Sequence, residues 1–158
     1  MKLRILTILT LAVVMLSCGD DKAKKTEVAT PAKEEVKVEE KATPVAVDPM
    51  TDKGVGPIKN LTLGDLDAAL VTKGEGIYKS KCTACHKISK RFVGPGLKGI
   101  TAKRTPEWIM NMILNPEVMV VENEAAKQLL IEYSAPMANQ SLTEEEARAI
   151  LEYLRTKN

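Results

Sequence analysis

The sequence has a single histidine, His86, and only three cysteines, Cys18, Cys82 and Cys85, in 158 residues. One imidazole excludes any site within one chain that needs two, such as His-rich zinc centres or bis-imidazole metal ligation. An odd cysteine count excludes a fully paired disulfide framework. Aromatics make up 3% of the chain, namely Tyr78, Phe92, Trp108, Tyr133 and Tyr153, and none of them lies in the first fifty residues. The longest apolar run, Ile5 to Leu16, is too short to span a bilayer as a helix, which needs roughly 20 residues. Strand-like alternation is absent. What remains, 44% apolar and 28% charged residues, fits one soluble domain.

The first fifty residues do not read as fold. Lys2 and Arg4 precede the apolar run, which ends in Met15-Leu16-Ser17-Cys18-Gly19. A basic start and a short apolar stretch mark a secretory signal. The cysteine directly after the run resembles a bacterial lipoprotein signal, in which Cys18 would be lipidated; the alternative is an ordinary secretory signal with Cys18 incidental. Residues 19–50 contain no Leu, Ile, Phe, Trp or Tyr, but six Lys, eight acids and three Pro. Such a segment cannot bury enough apolar surface to offset its ordering entropy. We therefore divide the chain into a signal at 1–17, a charged, Pro-containing tether at 18–50 and a folded domain at 51–158.

Within that domain the patterns are helical. Leu66-Asp67 opens a segment with Leu70, Gly74, Ile77, Tyr78 and Lys81 at helical spacing. Gly74 lies on the apolar face, where the missing side chain would let another helix cross closely. Thr105-Pro106-Glu107 provides an N-cap, a proline at the first helical position and an acid in the first turn. Trp108, Ile109, Met112 and Ile113 follow, and Asn115-Pro116 ends that pattern. Asn123 caps a segment with Ala126, Leu129, Leu130 and Tyr133 on one face. Thr143 and Glu146 form a capping box ahead of Ala147, Ile150, Leu151 and Leu154. The expectation is an all-α domain of four to five helices, with irregular stretches at 87–104 and 134–142.

The only histidine closes the pentapeptide Cys82-Thr83-Ala84-Cys85-His86. On a helical turn, positions i, i+3 and i+4 share a face, so two sulfurs and an imidazole can meet one flat object. C-x-x-C-H is the attachment signature of haem c: two thioethers fix the porphyrin edge and the adjacent imidazole reaches iron. A thioredoxin-like dithiol would need a βαβ context, and a zinc site would need four ligands. The chain supplies neither.

From these residues the chain resembles the class I c-type cytochromes, especially the small bacterial mono-haem ones, over most of 64–158. Gly74-x-x-x-Tyr78 is similar to that family's N-terminal helix, and Ile150-Leu151-Glu152-Tyr153-Leu154 to the C-terminal helix that crosses it. Val93-Gly94-Pro95-Gly96-Leu97 resembles its proline loop, which implies that the Pro95 carbonyl accepts the His86 Nδ1 proton and fixes the ring. The fold implied is the cytochrome c fold around one covalent haem c.

With no second histidine, methionine is the strongest remaining neutral ligand. Met110, Met112 and Met119 lie in apolar runs and read as packing. Met137 follows Pro136 in an irregular stretch before the last helix, where the resemblance places the axial methionine. Trp108 either hydrogen-bonds a haem propionate, as a Trp does in some relatives, or packs in the core.

His86/Met137 ligation leaves no open position on iron, which implies outer-sphere electron transfer rather than catalysis. The rival reading is a gas-binding protein or haem enzyme with a labile distal ligand. Nine basic residues and one acid lie between Lys73 and Arg104, against four basic and nine acidic residues from Thr105 to Asn158. The haem attachment thus sits in a segment of +8, which favours acidic redox partners, unless those lysines are merely solvated. The resemblance implies a periplasmic carrier running from a quinol-oxidising complex to a terminal oxidase or to a denitrification reductase such as nitrous oxide reductase. Nucleic acid is not expected as a partner, and a monomer is.

Overall fold

The computed structural model describes residues 48–158. The signal, Cys18 and most of the tether lie outside the described residues. Five α-helices form the fold: α1 (Ala68–Ile77), α2 (Pro106–Leu114), α3 (Pro116–Glu122), α4 (Glu124–Tyr133) and α5 (Glu144–Arg155). The described residues contain no strand, which agrees with the all-α expectation.

Four of the five helices, α1, α2, α4 and α5, start where the sequence supplies a side-chain oxygen for the free backbone donors. Asp67 accepts from the amides of Ala69 and Leu70, Thr105 from Trp108, Asn123 from Ala126 and Thr143 from Glu146. The Thr143–Glu146 capping box is closed in both directions. The apolar run around Met119, expected only as packing, is itself helical. Asn115-Pro116 ends α2 as its pattern requires, but Pro116 then serves as the first residue of α3.

The core is built around the crossing of α1 and α5. Gly74 is buried, and a Cβ there would come 1.9 Å from the carbonyl oxygen of Ala149. Only glycine permits so close an approach. Tyr78 and Tyr153 pack beside the crossing with ring centroids 5.2 Å apart. Glu152, wholly buried, is neutralised by Arg148 at 2.9 Å and Arg155 at 2.7 Å. Removing either arginine would strand part of a buried charge.

Two features differ from expectation. The first helix does not run to Lys81 as α-helix; after Ile77 it widens into one π-helical turn, Tyr78–Cys82. Lys81 is exposed. Such single-turn widenings occur frequently at functional sites, and this one carries Cys82. The second is a strap of residues 48–64, without helix, that lies along α2 and α3. Asn111, fully buried in the apolar face of α2, holds it: Oδ1 accepts from Ile58 N at 3.0 Å and Nδ2 donates to the carbonyls of Lys53 and Ile58 at 2.9 Å. Glu107 accepts from Leu61 N, and Met119 Sδ from Val55 N. The strap from Lys53 to Leu61 is thus packed into the domain.

Candidate functional site

The π-helical turn delivers Cys82, and the chain continues as a tight turn. The amides of Cys85 and His86 both donate to the Cys82 carbonyl, at 3.1 and 2.8 Å. The motif is thus wound like helix without belonging to α1. Tyr78 Oη donates to the His86 carbonyl at 3.0 Å, so the residue that packs on α5 also fixes the histidine backbone. Burial pushes the Tyr78 hydroxyl up from its ordinary pKa, with Tyr153 and Cys82 adding to the shift. It stays a neutral donor at physiological pH.

His86 is oriented from its other side by the loop that follows. Nδ1 lies 3.0 Å from the Pro95 carbonyl oxygen, an acceptor only, so Nδ1 carries the proton and Nε2 is left as the ligating atom. Gly94 makes room for the ring: a Cβ there would sit 2.6 Å from His86 Cε1. The loop is pinned by Gly94 N donating to the Cys85 carbonyl and Leu97 N to that of Lys87, both at 3.0 Å. Arg91 ties it to the end of α4, lying 4.1 Å over the Tyr133 ring and donating to the Glu132 carbonyl at 3.0 Å.

Cys82, His86, Pro95, Trp108 and Met137 all line one cavity of about 440 Å³, a size suited to a cofactor. A smaller cavity of about 130 Å³ shares Cys82, His86, Pro95 and Met137 and adds Cys85. Apart from these groups the walls of the large cavity are mostly apolar: Leu97, Ile109, Met112, Ile150 and Leu154 among others. Lys103 and Arg104 are its cationic residues.

Met137 belongs to a loop whose ends are set by two left-handed residues, Ser134 and Ser141, with φ of 50° and 53°. Asn139 draws the loop toward the α2–α3 junction through Leu114 O at 3.4 Å and Glu117 Oε2 at 3.3 Å. Gln140 bonds only locally, to the Ala138 carbonyl. Met119 lies in the core, fully buried. Met112, read from sequence as packing, instead faces the cavity.

Trp108 lines the cavity and is buried, but its indole N–H donates to Asn123 Oδ1 at 3.1 Å. Asn123 thus gives the N–H a partner within the protein, as the packing alternative requires. The Arg104 guanidinium lies 4.7 Å over the same ring.

These residues fit a haem. Two unpaired thiols stand at the motif, with one imidazole held for ligation and a thioether in the same cavity. Lys103 and Arg104 match the two propionates of a porphyrin in an otherwise apolar chamber. Burial raises the Cys82 thiol from its ordinary pKa, and Cys85 raises it further; without a cofactor this cysteine stays protonated. No cluster of three or more His, Cys, Asp or Glu able to hold a metal occurs among the described residues.

Sequence reading missed the cavity roles of Met112, Leu129 and Tyr133, and of Pro49 at the end of the presumed tether. It also missed Asn111, although an asparagine amid Trp-Ile-Met and Met-Ile-Leu was a visible signal of a buried polar contact.

Comparison with known proteins agrees with this geometry. A family model described as cytochrome c matches residues 71–158. Cytochrome c-551 of Ectopseudomonas mendocina is 33% identical over 85 residues, covering 52% of this chain and 95% of that protein. Cytochrome c-551 of Stutzerimonas stutzeri is 46% identical over 39 residues, 24% of this chain, and that match spans only 38% of its length. Among solved structures, the cytochrome c from Rhodothermus marinus superposes with a TM-score of 0.63 at 48% identity, covering 64% of this chain and 88% of that one.

Proposed function

The chain belongs to the cytochrome c family, whose members hold one covalently bound haem c, and on that premise we propose that it is a one-electron carrier rather than an enzyme. The observation that carries this reading is the convergence of Cys82, His86 and Met137 on one cavity. Bound haem supplies an iron that takes up and releases a single electron without bond rearrangement in a substrate.

The protein's part follows from its side chains. Cys82 and Cys85 would anchor the porphyrin edge. His86, fixed by Pro95, and Met137 would be the two protein ligands to iron. A haem so held would leave substrate and O₂ no place on iron. Thioether ligation and an apolar enclosure favour the ferrous state and raise the potential. Transfer would pass through the porphyrin edge that the two cysteines hold; Lys81, Cys85, Val93 and Pro136, all exposed, line the smaller cavity there.

The finer reading is a periplasmic carrier tethered to a membrane through a lipidated Cys18. The apolar run and the Lys-, Glu- and Pro-rich segment after it support this. Its partners are acidic redox proteins, a quinol-oxidising complex as donor and a terminal oxidase or denitrification reductase as acceptor. The excess of lysine and arginine around the haem attachment supports that choice.

Optical spectra of the purified holoprotein, oxidised and reduced, with and without carbon monoxide, test the carrier reading. A sulfur-to-iron absorption in the ferric form and slow carbon monoxide binding in the ferrous form are expected. Ready binding would favour the alternative, a gas-binding protein or haem enzyme with a labile distal ligand. For the tether, Cys18→Ala should release the protein from the membrane fraction; retention would count against lipidation.

A further inference from the structure

Asp52 lies in the strap, outside the attachment motif, the proline loop and the Met137 loop. Its carboxylate is nevertheless fixed by two donors. Asn123 Nδ2 lies 2.9 Å from each carboxylate oxygen, and Gly54 N donates to Oδ1 at 2.8 Å. The other end of the same amide is equally committed: Asn123 Oδ1 accepts from Trp108 Nε1 at 3.1 Å and from Ala126 N at 3.0 Å. Reversing the amide would set a carbonyl against a carboxylate and an NH₂ against two N–H donors, so the network allows one orientation. Asn123 is 9% exposed and Trp108 4%, and water cannot easily replace these bonds.

Both ends of this chain of bonds reach the haem site. Trp108 is part of the cavity wall. Asn123 caps α4, whose Leu129 and Tyr133 line the cavity and whose end leads into the Met137 loop. The Asp52 backbone carbonyl also accepts from Thr105, the cap of α2. One strap residue thus fixes the starts of two helices that form the wall.

We propose that Asp52 is a positioning residue for the haem site: acting through Asn123, it holds Trp108 and the start of α4 in the single arrangement that keeps Met137 on iron and foreign ligands off it. The proposal rests on the carrier reading with Met137 as ligand. A charge-assisted bond is about twice as strong as a neutral one. Losing it would leave the Asn123 NH₂ buried without its acceptor, free to turn and to release the Trp108 indole.

The test compares holoprotein with Asp52, Asp52→Asn and Asp52→Ala, each reduced and mixed with carbon monoxide. Asp52→Ala should bind roughly tenfold faster, the factor matching one lost bond to a charged group, and its ferric form should lose part of the sulfur-to-iron absorption. Asp52→Asn keeps one oxygen acceptor and should fall between the two. If Asp52→Ala does not accumulate with haem, the comparison of Asp52→Asn with the unmodified protein decides alone. Equal rates and equal absorption, with only the unfolding temperature lowered, would overturn the proposal and leave the carrier reading standing. Ready carbon monoxide binding by the unmodified protein would sink the carrier reading, and this proposal with it.

Discussion

The Nδ1 atom of His86 and the carbonyl oxygen of Pro95 lie 3.0 Å apart, and the glycine between the loop and the ring has no room for a methyl group. Replacing Gly94 by alanine would place a Cβ 2.6 Å from His86 Cε1 and 3.0 Å from Nδ1. The ring must tilt away from its acceptor. Loss of a partner that orients a metal ligand typically costs 10–100-fold in metal affinity or activity. Gly94→Ala should therefore bind added imidazole at ferric iron roughly tenfold more readily than the unmodified protein. Spectral titration measures this, and an unchanged affinity would show that the loop does not orient the ligand.

Met137→Ala should abolish the sulfur-to-iron absorption of the ferric protein, lower its midpoint potential and open the ferrous iron to carbon monoxide. Met112→Leu, altering the other thioether in the cavity wall, should leave the absorption in place. The opposite pattern would reassign the ligand to Met112.

The glycines of α1 separate a packing requirement from helix propensity. At Gly74 a Cβ would meet the Ala149 carbonyl at 1.9 Å, whereas at Gly76 nothing lies within 4 Å. Gly74→Ala should destabilise the holoprotein by about 3 kcal/mol, the upper part of the range for overpacking. Gly76→Ala should stabilise it by roughly 1 kcal/mol, since alanine is the better helix former. Guanidinium unfolding of both variants checks the pair; equal effects would mean that α1 and α5 do not cross at Gly74.

The capping box of α5 makes part of the stability pH-dependent. The bond from the Thr143 backbone amide holds the Glu146 carboxyl below its ordinary value of 4.5. Burial, the next largest influence, acts against that bond, and the Thr143 hydroxyl and the charges of Lys73 and Lys81 then reinforce it. Because the folded pKa is depressed, this contribution is complete above 4.5 and disappears as pH falls through the lower, folded value. The gap in unfolding temperature between the unmodified protein and Glu146→Gln should therefore shrink in that acid range. A gap independent of pH would mean that the charge of Glu146 plays no part in the cap.

Salt dependence reports on the basic surface. Lys81 lines the smaller cavity beside Cys85, and Lys103 and Arg104 line the larger one. Oxidation of the ferrous protein by a multiply charged anionic iron complex should slow as ionic strength rises, because the screening length falls to about 10 Å at 0.1 M. A flat response would remove the docking role of these cations.

Much of this molecule could be read locally. The spacing of Cys82, Cys85 and His86 is a statement about one helical turn, and Asp67, Thr105, Asn123 and Thr143 cap the helices they precede because capping involves neighbours within three residues. Gly74 on the apolar face correctly signalled a close crossing. The π-helical turn at Tyr78–Cys82 was not legible, because nothing in Tyr-Lys-Ser-Lys-Cys distinguishes one widened turn from α-helix. The helix at Pro116–Glu122 was missed because Pro116 reads equally as a stop and as a start.

The sequence by itself determined the class of cofactor, the helical character of the domain and the identity of its one possible imidazole ligand, since each depends on residue type and short spacing. Tertiary structure decided which methionines face the cavity, where the Trp108 N–H goes and that Pro49 reaches the cavity wall. Those outcomes depend on partners far apart in the chain: Asp52 meets Asn123 across 71 positions, and Ile58 meets Asn111 across 53. A side chain chooses among distant hydrogen-bond partners only after packing has brought them together and removed the water that would otherwise satisfy it.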